Sequence, residues 1–197
     1  MLTQTLIFLI TTLGDLFVFA LLLRFILQCL RAPARNQMSE FVAALTDFIV
    51  RPARRVIPGL WGLDLATLVL AWITTAVQLW LVLQIKGYEL GSAVGVALAA
   101  LAALAAIHIV RLTVYVVMFA IVLQAVLSWV NPYNPLTPLL TAVTRPVLRP
   151  FQKLVPMIAN VDLSPLFALI VCQLLLAVPL VWLEAMVERL LVGAPAP

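Results

Sequence analysis

Residues 51–65 read RPARRVIPGLWGLDL, and residues 149–163 read RPFQKLVPMIANVDL. Laid without gaps at an offset of 98, residues 46–68 and 144–166 share Thr46/Thr144, Arg51/Arg149, Pro52/Pro150, Pro58/Pro156, Asp64/Asp162, Leu65/Leu163 and Leu68/Leu166. These are seven identities in 23 positions, and seven further positions exchange Ile, Val and Leu or replace Arg55 by Lys153, so an internal duplication is the simplest cause. Upstream, allowing two extra residues in the first loop, Arg24 and Gln28 correspond to Gln124 and Ser128. Each of those pairs is spaced i, i+4 and lies on one helix face. The repeating unit is helix, basic amphipathic loop, helix, made twice in parallel orientation.

The surrounding composition requires a bilayer. Mean hydropathy is +1.18, with 65% hydrophobic and 10% charged residues. Spans of about 20 residues each leave no room for a separate soluble domain. The expected fold is all-α, a polytopic membrane protein with about four transmembrane helices, over residues 5–30, 64–85, within 92–130, and 163–183. In this plan the first repeat is residues 5–85, with a basic amphipathic loop at 31–62. Residues 86–106 form a connector and an Ala-rich helix, and residues 107–192 form the second repeat, with its basic loop at 131–161. Met1 to Leu6 carry no base and no small-residue cleavage site follows, so the first apolar run is expected to stay as a helix.

The third span is the ambiguous one. Ser92 to Val130 contains no Pro and only Gly95, so nothing marks a reversal of the chain. As one helix it would reach roughly 57 Å at 1.5 Å per residue. That exceeds a hydrocarbon core of about 30 Å, so Ala93 to Ala106 must tilt, protrude or break near His108, and a helical hairpin there would give five spans instead. Charge favours four. Arg31, Arg35, Arg51, Arg54 and Arg55 lie between the first two spans and Arg145, Arg149 and Lys153 between the last two, eight of twelve bases in two loops. Cytoplasmic loops collect Lys and Arg, and two cytoplasmic loops must be separated by an even number of crossings.

Within the first loop, Phe41, Leu45 and Phe48, with Val42 and Ile49 beside them, form a stripe at helical spacing, with Ser39 as an N-cap and Glu40 in the first turn. Pro52 and Pro58 are expected to stop this membrane-lying helix. Arg51, Arg54 and Arg55 then sit at headgroup depth, each contributing about 1 kcal/mol near anionic lipid. In the second loop, NPYNPLTP (131–138) ends the third helix at Asn131, and Thr137 with Pro138 starts a short new turn.

This ensemble resembles the YggT family of small bacterial membrane proteins, whose relatives also occur in plastids. The matching segments are LLLRFILQCLR (21–31), LTDFIVRPARRVIPGLWGLDLATLVL (45–70), VLSWVNPYNP (126–135) and TRPVLRPFQKLVPMIANVDLSPL (144–166). Two departures stand out: APARNQ (32–37) replaces an aromatic Asn-Pro turn, and Gln152 replaces one base of the usual basic pair. The resemblance implies non-enzymatic accessory factors, linked in plastid relatives to haem attachment during cytochrome assembly and in others to positioning of division or nucleoid structures or to osmotic adaptation.

The candidate residues follow from the repeat. Arg51, Arg54, Arg55, Arg145, Arg149 and Lys153 are expected to contact anionic headgroups and a membrane-protein partner. Asp64 and Asp162 each stand where a span begins, able to cap it, to pair with the bases ten residues earlier, or to coordinate an ion. Arg24 either snorkels or makes a contact between repeats. Asp15, nine residues before it, falls on the opposite helix face. His108 reads as a packing residue rather than a haem ligand. Thr74, Thr75, Gln78 and Gln173 are expected to tie helices together, and Cys29 and Cys172 to pack. No catalytic, cofactor or metal-ligating constellation is evident, and the net charge of +4 belongs to the loops rather than to nucleic-acid binding. The expected setting is the bacterial inner membrane, multi-pass, with the basic loops cytoplasmic. The expected role is an assembly or scaffold factor; an ion transporter or channel subunit is the alternative.

Overall fold

The computed structural model describes residues 1–30, 37–57, 59, 64–87, 94–131, 134–154 and 162–192. All regular structure among them is helical. The elements are α1 (Leu2–Cys29), α2 (Gln37–Val56), α3 (Leu65–Ile85), α4 (Val94–Val130), α5 (Thr137–Leu154), α6 (Ser164–Leu175), a π-helical turn (Leu176–Leu180) and α7 (Val181–Val192). Four stretches are long and apolar enough to cross a membrane: Leu2–Cys29, Leu65–Ile85, Gly95–Val130 and Ser164–Arg189. The chain is an all-α polytopic membrane protein with four spans. Crossing order then puts α2 and α5 on the same side.

The third span is one uninterrupted helix that passes straight through His108. Its 37 residues extend for about 55 Å. The alanines make it continuous with the bundle: Ala97, Ala100, Leu101 and Ala105 are buried, and α4 packs against α3. The Trp72 indole N–H reaches across to donate to the Ala102 carbonyl at 3.0 Å.

Both loops contain a longer helix than their prolines suggest. α2 does not stop at Pro52 but runs on to Val56, and α5 is an 18-residue helix carrying Pro146 and Pro150, not a short turn. A proline removes one backbone donor, and a helix held by its packed face tolerates the loss. Since α2 begins at Gln37, Ser39 lies in its first turn rather than at the cap. Pro58 and Pro156 lie outside the described residues.

The inward faces of these two helices are equivalent. Val42, Thr46 and Val50 are buried on α2, and Leu140, Thr144 and Leu148 are buried on α5. The stripe expected to face the membrane, Phe41, Leu45 and Phe48, is separate from this row and stays 60%, 46% and 71% exposed. The helices differ beside this shared row: Leu139 and Val143 are also buried on α5, where their counterparts Phe41 and Leu45 on α2 are exposed. Val50 packs with Val18, Leu21 and Leu22 of α1 and Ala71 of α3, whereas Leu148 packs with Ile121 and Ala168.

At the register that aligns Arg24 with Gln124, Phe19 is equivalent to Phe119. Their rings meet edge to face with centroids 6.5 Å apart. The repeats therefore touch through α1 and α4, but their neighbours differ among the described residues: α3 packs on α4, whereas α6 and α7, its counterparts, do not pack on α1.

The fourth span continues beyond residue 183 to Arg189, and its last helix runs to Val192. Pro179 lies within the π-helical turn, where the wider winding absorbs its missing donor. Cys172 is buried, but Cys29 is exposed rather than packed.

Candidate functional site

The first hairpin is closed by a polar network that begins with a row on α1. Arg24 is only 9% exposed, and its Nη1 donates to Thr46 Oγ1 at 2.7 Å and pairs with Asp47 Oδ1 at 2.8 Å. It neither reaches water nor the other repeat: it clamps α2 of its own repeat against α1. Asp47 also receives Arg51, one helical turn later, at 2.6 Å. Hydrogen bonding from Arg24, with the charges of Arg24 and Arg51, holds the Asp47 carboxyl below its ordinary value.

One turn further along α1, Gln28 joins the end of the hairpin. Arg54 donates through Nη2 at 2.5 Å and Nε at 3.2 Å to Asp64 Oδ2. In the amide orientation that satisfies both neighbours, Gln28 donates to Asp64 Oδ2 at 3.0 Å and accepts from Arg54 Nη2 at 2.9 Å. Asp64 is at once the N-cap of α3, accepting from the Thr67 N–H at 3.4 Å and from the Thr67 hydroxyl. Burial pushes its carboxyl up, and the hydrogen bonds from Arg54 and Thr67 with the guanidinium charge outweigh that, so its pKa is lowered. Capping and pairing thus coexist in one carboxylate, and α1, α2 and α3 are joined through it.

The second hairpin repeats this plan without ion pairs among the described residues. Thr144 is hydrogen-bonded to Gln124, as Thr46 is to Arg24, and each threonine hydroxyl also lies against a carbonyl of its own helix, Val42 at 2.7 Å and Leu140 at 3.0 Å. Gln152 stands where Arg54 does and donates to Asp162 Oδ2 at 3.2 Å. Asp162 accepts the Ser164 N–H at 2.9 Å at the start of α6. Burial raises its carboxyl, and bonds from Ser164 and Gln152 lower it overall. Arg145, Arg149 and Lys153 are exposed on α5, and Arg55 is exposed on α2.

A second polar group lies inside the bundle. Gln78 of α3 donates to Asp15 Oδ1 at 2.8 Å and to the Thr11 carbonyl at 3.2 Å, and His108 Nε2 lies 3.1 Å from the same Asp15 oxygen. Gly14 makes room for this amide: a Cβ there would stand 2.4 Å from Gln78 Oε1. One turn along α4, Arg111 pairs with Glu184 of α7 at 2.5 Å. Gln78 does tie helices together, whereas Thr75 donates to Ala71 of its own helix and Gln173 is exposed.

A family model described as CCB3/YggT matches residues 3–85 and 103–183. The chain belongs to the CCB3/YggT family. It is 38% identical over 171 residues to an uncharacterised protein of Pseudomonas aeruginosa, covering 86% of this chain and 85% of that protein. It is 30% identical over 168 residues to an uncharacterised protein in the proC 3′ region of Vibrio alginolyticus, covering 84% and 88%. With the uncharacterised YggT protein of Escherichia coli it shares 28% over 164 residues, covering 83% and 82%. No solved structure matches the chain.

Each of the two segments matched to CCB3/YggT contains one clamp: Arg24, Thr46, Arg54 and Asp64 in the first, Gln124, Thr144, Gln152 and Asp162 in the second. Sequence reasoning missed Asp47, the acid that receives Arg24. Its signal was available: Asp47 precedes Arg51 by four residues and aligns with Arg145, a reversal of charge at one position of the repeat.

Proposed function

We propose that this CCB3/YggT-family protein is a non-enzymatic scaffold or assembly factor of the bacterial inner membrane, presenting α2 and α5 on the cytoplasmic side to a membrane-protein partner, with anionic headgroups beside them. The observation that carries the reading is the duplicated clamp. Buried polar groups cost free energy unless satisfied, and here they are spent on holding a surface helix in one pose against the spans. A prearranged helix loses little freedom when a partner docks on it. The concentration of bases in the two hairpin loops supports the cytoplasmic orientation. Haem attachment, division-site positioning and osmotic adaptation are all settings in which such a platform would serve.

Crosslinking from α2 and α5 in intact cells tests the reading, with capture of one membrane protein by both helices as the expected result. Orientation is tested separately in a protein lacking Cys29 and Cys172. Asn36→Cys and Asn134→Cys should be shielded from an impermeant thiol reagent in intact cells, while Tyr88→Cys reacts. Labelling at 134 would end the cytoplasmic reading. Ion transport is the competing class, and Asp15, His108, Arg111 and Glu184 are the groups it would use. They are paired with one another, which favours a structural role. Robust ion flux in proteoliposomes, abolished by Asp15→Asn, would overturn the scaffold reading.

A further inference from the structure

The two hairpins share a backbone plan and differ in what their charges do. α2 carries three bases and two acids, and Arg51 and Arg54 each rest on a carboxylate of the chain, leaving Arg55 as its one base outside any ion pair among the described residues. α5 carries Arg145, Arg149 and Lys153 and no acid. The position of Asp47 is taken by Arg145 and that of Arg54 by Gln152. Asp162, the counterpart of Asp64, is bonded to Gln152 and to the Ser164 N–H. None of the three α5 bases has an ion-pair partner among the described residues.

Their spacing makes them a unit. Steps of four residues put the three on one helical row about 12 Å long. That row lies one residue, about 100°, around the helix from the Leu140, Thr144 and Leu148 row that packs inward. The surroundings identify the level. Trp129, 83% exposed at the end of α4 just before α5, is the residue type that gathers at the membrane–water boundary. Leu154, directly after Lys153, is 78% exposed, a side chain suited to acyl chains rather than to water.

We propose that Arg145, Arg149 and Lys153 form a binding face for the phosphates of anionic phospholipid headgroups, and that α2 is not one. The protein reads lipid charge through its second hairpin, while the first spends its charges on holding itself together. This assignment rests on the reading of both hairpins as membrane-surface elements. The positive charge of Arg145, Arg149 and Lys153, concentrated on one helical row, supplies the attraction to phosphate.

The test uses the full-length protein in phosphatidylcholine bilayers containing phosphatidylglycerol, with spin-labelled forms of each lipid reporting association by electron paramagnetic resonance. Wild-type protein should prefer phosphatidylglycerol. Arg145→Gln with Arg149→Gln and Lys153→Gln should reduce that preference by roughly threefold or more, and 0.5 M salt should reduce it too. Arg51→Gln with Arg55→Gln should change it by less than about 1.5-fold. Arg145→Lys with Arg149→Lys should retain most of the preference, which separates loss of charge from loss of fold. Equal loss in the α2 and α5 variants, or no preference in the wild type, would overturn the assignment. Capture of an acidic protein by a crosslinker at Arg149, without lipid preference, would overturn it in favour of a protein ligand. Because the lipid measurement is indifferent to which side faces the cytoplasm, failure of the orientation test above would leave it intact.

Discussion

Replacing Arg24 by Gln should do much less harm than replacing it by Ala, because the second repeat already holds its hairpin with Gln124 at that position. In the wild type one guanidinium nitrogen reaches both Thr46 Oγ1, at 2.7 Å, and Asp47 Oδ1, at 2.8 Å, in a site where Arg24 is 9% exposed. Alanine removes both bonds and leaves Asp47 with Arg51 alone, whose side chain is 77% exposed and so contributes little. Arg24 is buried but the Asp47 side chain is 23% exposed, so truncating Arg24 costs about 2 to 3 kcal/mol. Glutamine can still bond to Thr46 and donate an amide N–H to Asp47, so only the charge-assisted part is lost, about 1 to 2 kcal/mol. Adding Asp47→Asn to Arg24→Gln should then recover part of the loss, since a neutral pair leaves no poorly compensated carboxylate. Reversible unfolding of the purified protein in mixed micelles, followed by helicity, measures these variants, and Asp47→Asn alone completes the double-mutant cycle with Arg24→Gln. Equal damage from Ala and Gln, or no recovery in the double variant, would show that the ion itself holds α2, and the equivalence drawn between the two clamps would be wrong.

Asp64→Asn should cost less than Asp64→Leu, because asparagine still caps α3 and accepts from Thr67 while leucine leaves Arg54 and the helix start unsatisfied; the difference should be about 1 kcal/mol in the same unfolding assay. The carboxyls of Asp47, Asp64 and Asp162 lie below the ordinary 3.8 in the folded protein. Their stabilisation is therefore fully present above that value and lost as pH falls through the folded pKa values. The gap between wild type and Asp64→Asn measured at neutral pH should close as the pH is lowered past that point. Gly14→Ala should push the Gln78 amide out of its bonds to Asp15 and Thr11, at a cost of about 1 to 2 kcal/mol, and Gln78→Ala in the same chain should make the substitution nearly neutral, read as non-additivity in unfolding.

The repeat, the four spans and the ten-residue link from Arg54 to Asp64 were legible because they are local: identities at a fixed offset, apolar runs, and a base and an acid at the two ends of one turn of chain. The substitution of Gln152 for a base was visible too, and its bond to Asp162 follows from the same spacing. What could not be read is what depends on the register between helices far apart in the chain. Asp15 was correctly separated from Arg24 by helix geometry, but nothing in the sequence says that His108, 93 residues later, arrives beside it. Arg111 and Glu184, 73 residues apart, meet for the same reason. Pro132 correctly marked the end of α4, whereas Pro52 misled as a stop for the first surface helix. Pro52, Pro146, Pro150 and Pro179 all lie inside helical segments, where packing against neighbours outweighs the loss of one backbone donor.

The edge-to-face meeting of Phe19 and Phe119 marks where two copies of one fold were joined. A homodimer of single-repeat subunits would carry the same side chain in both halves, so a cation added to one surface helix would appear on the other as well. Covalent fusion lifts this constraint. One half can keep Arg24 and Arg54 as internal ties while the other trades them for Gln124 and Gln152 and turns its bases outward. The peptide link between the halves keeps a self-paired hairpin and a hairpin whose bases are unpaired among the described residues together in a fixed one-to-one ratio.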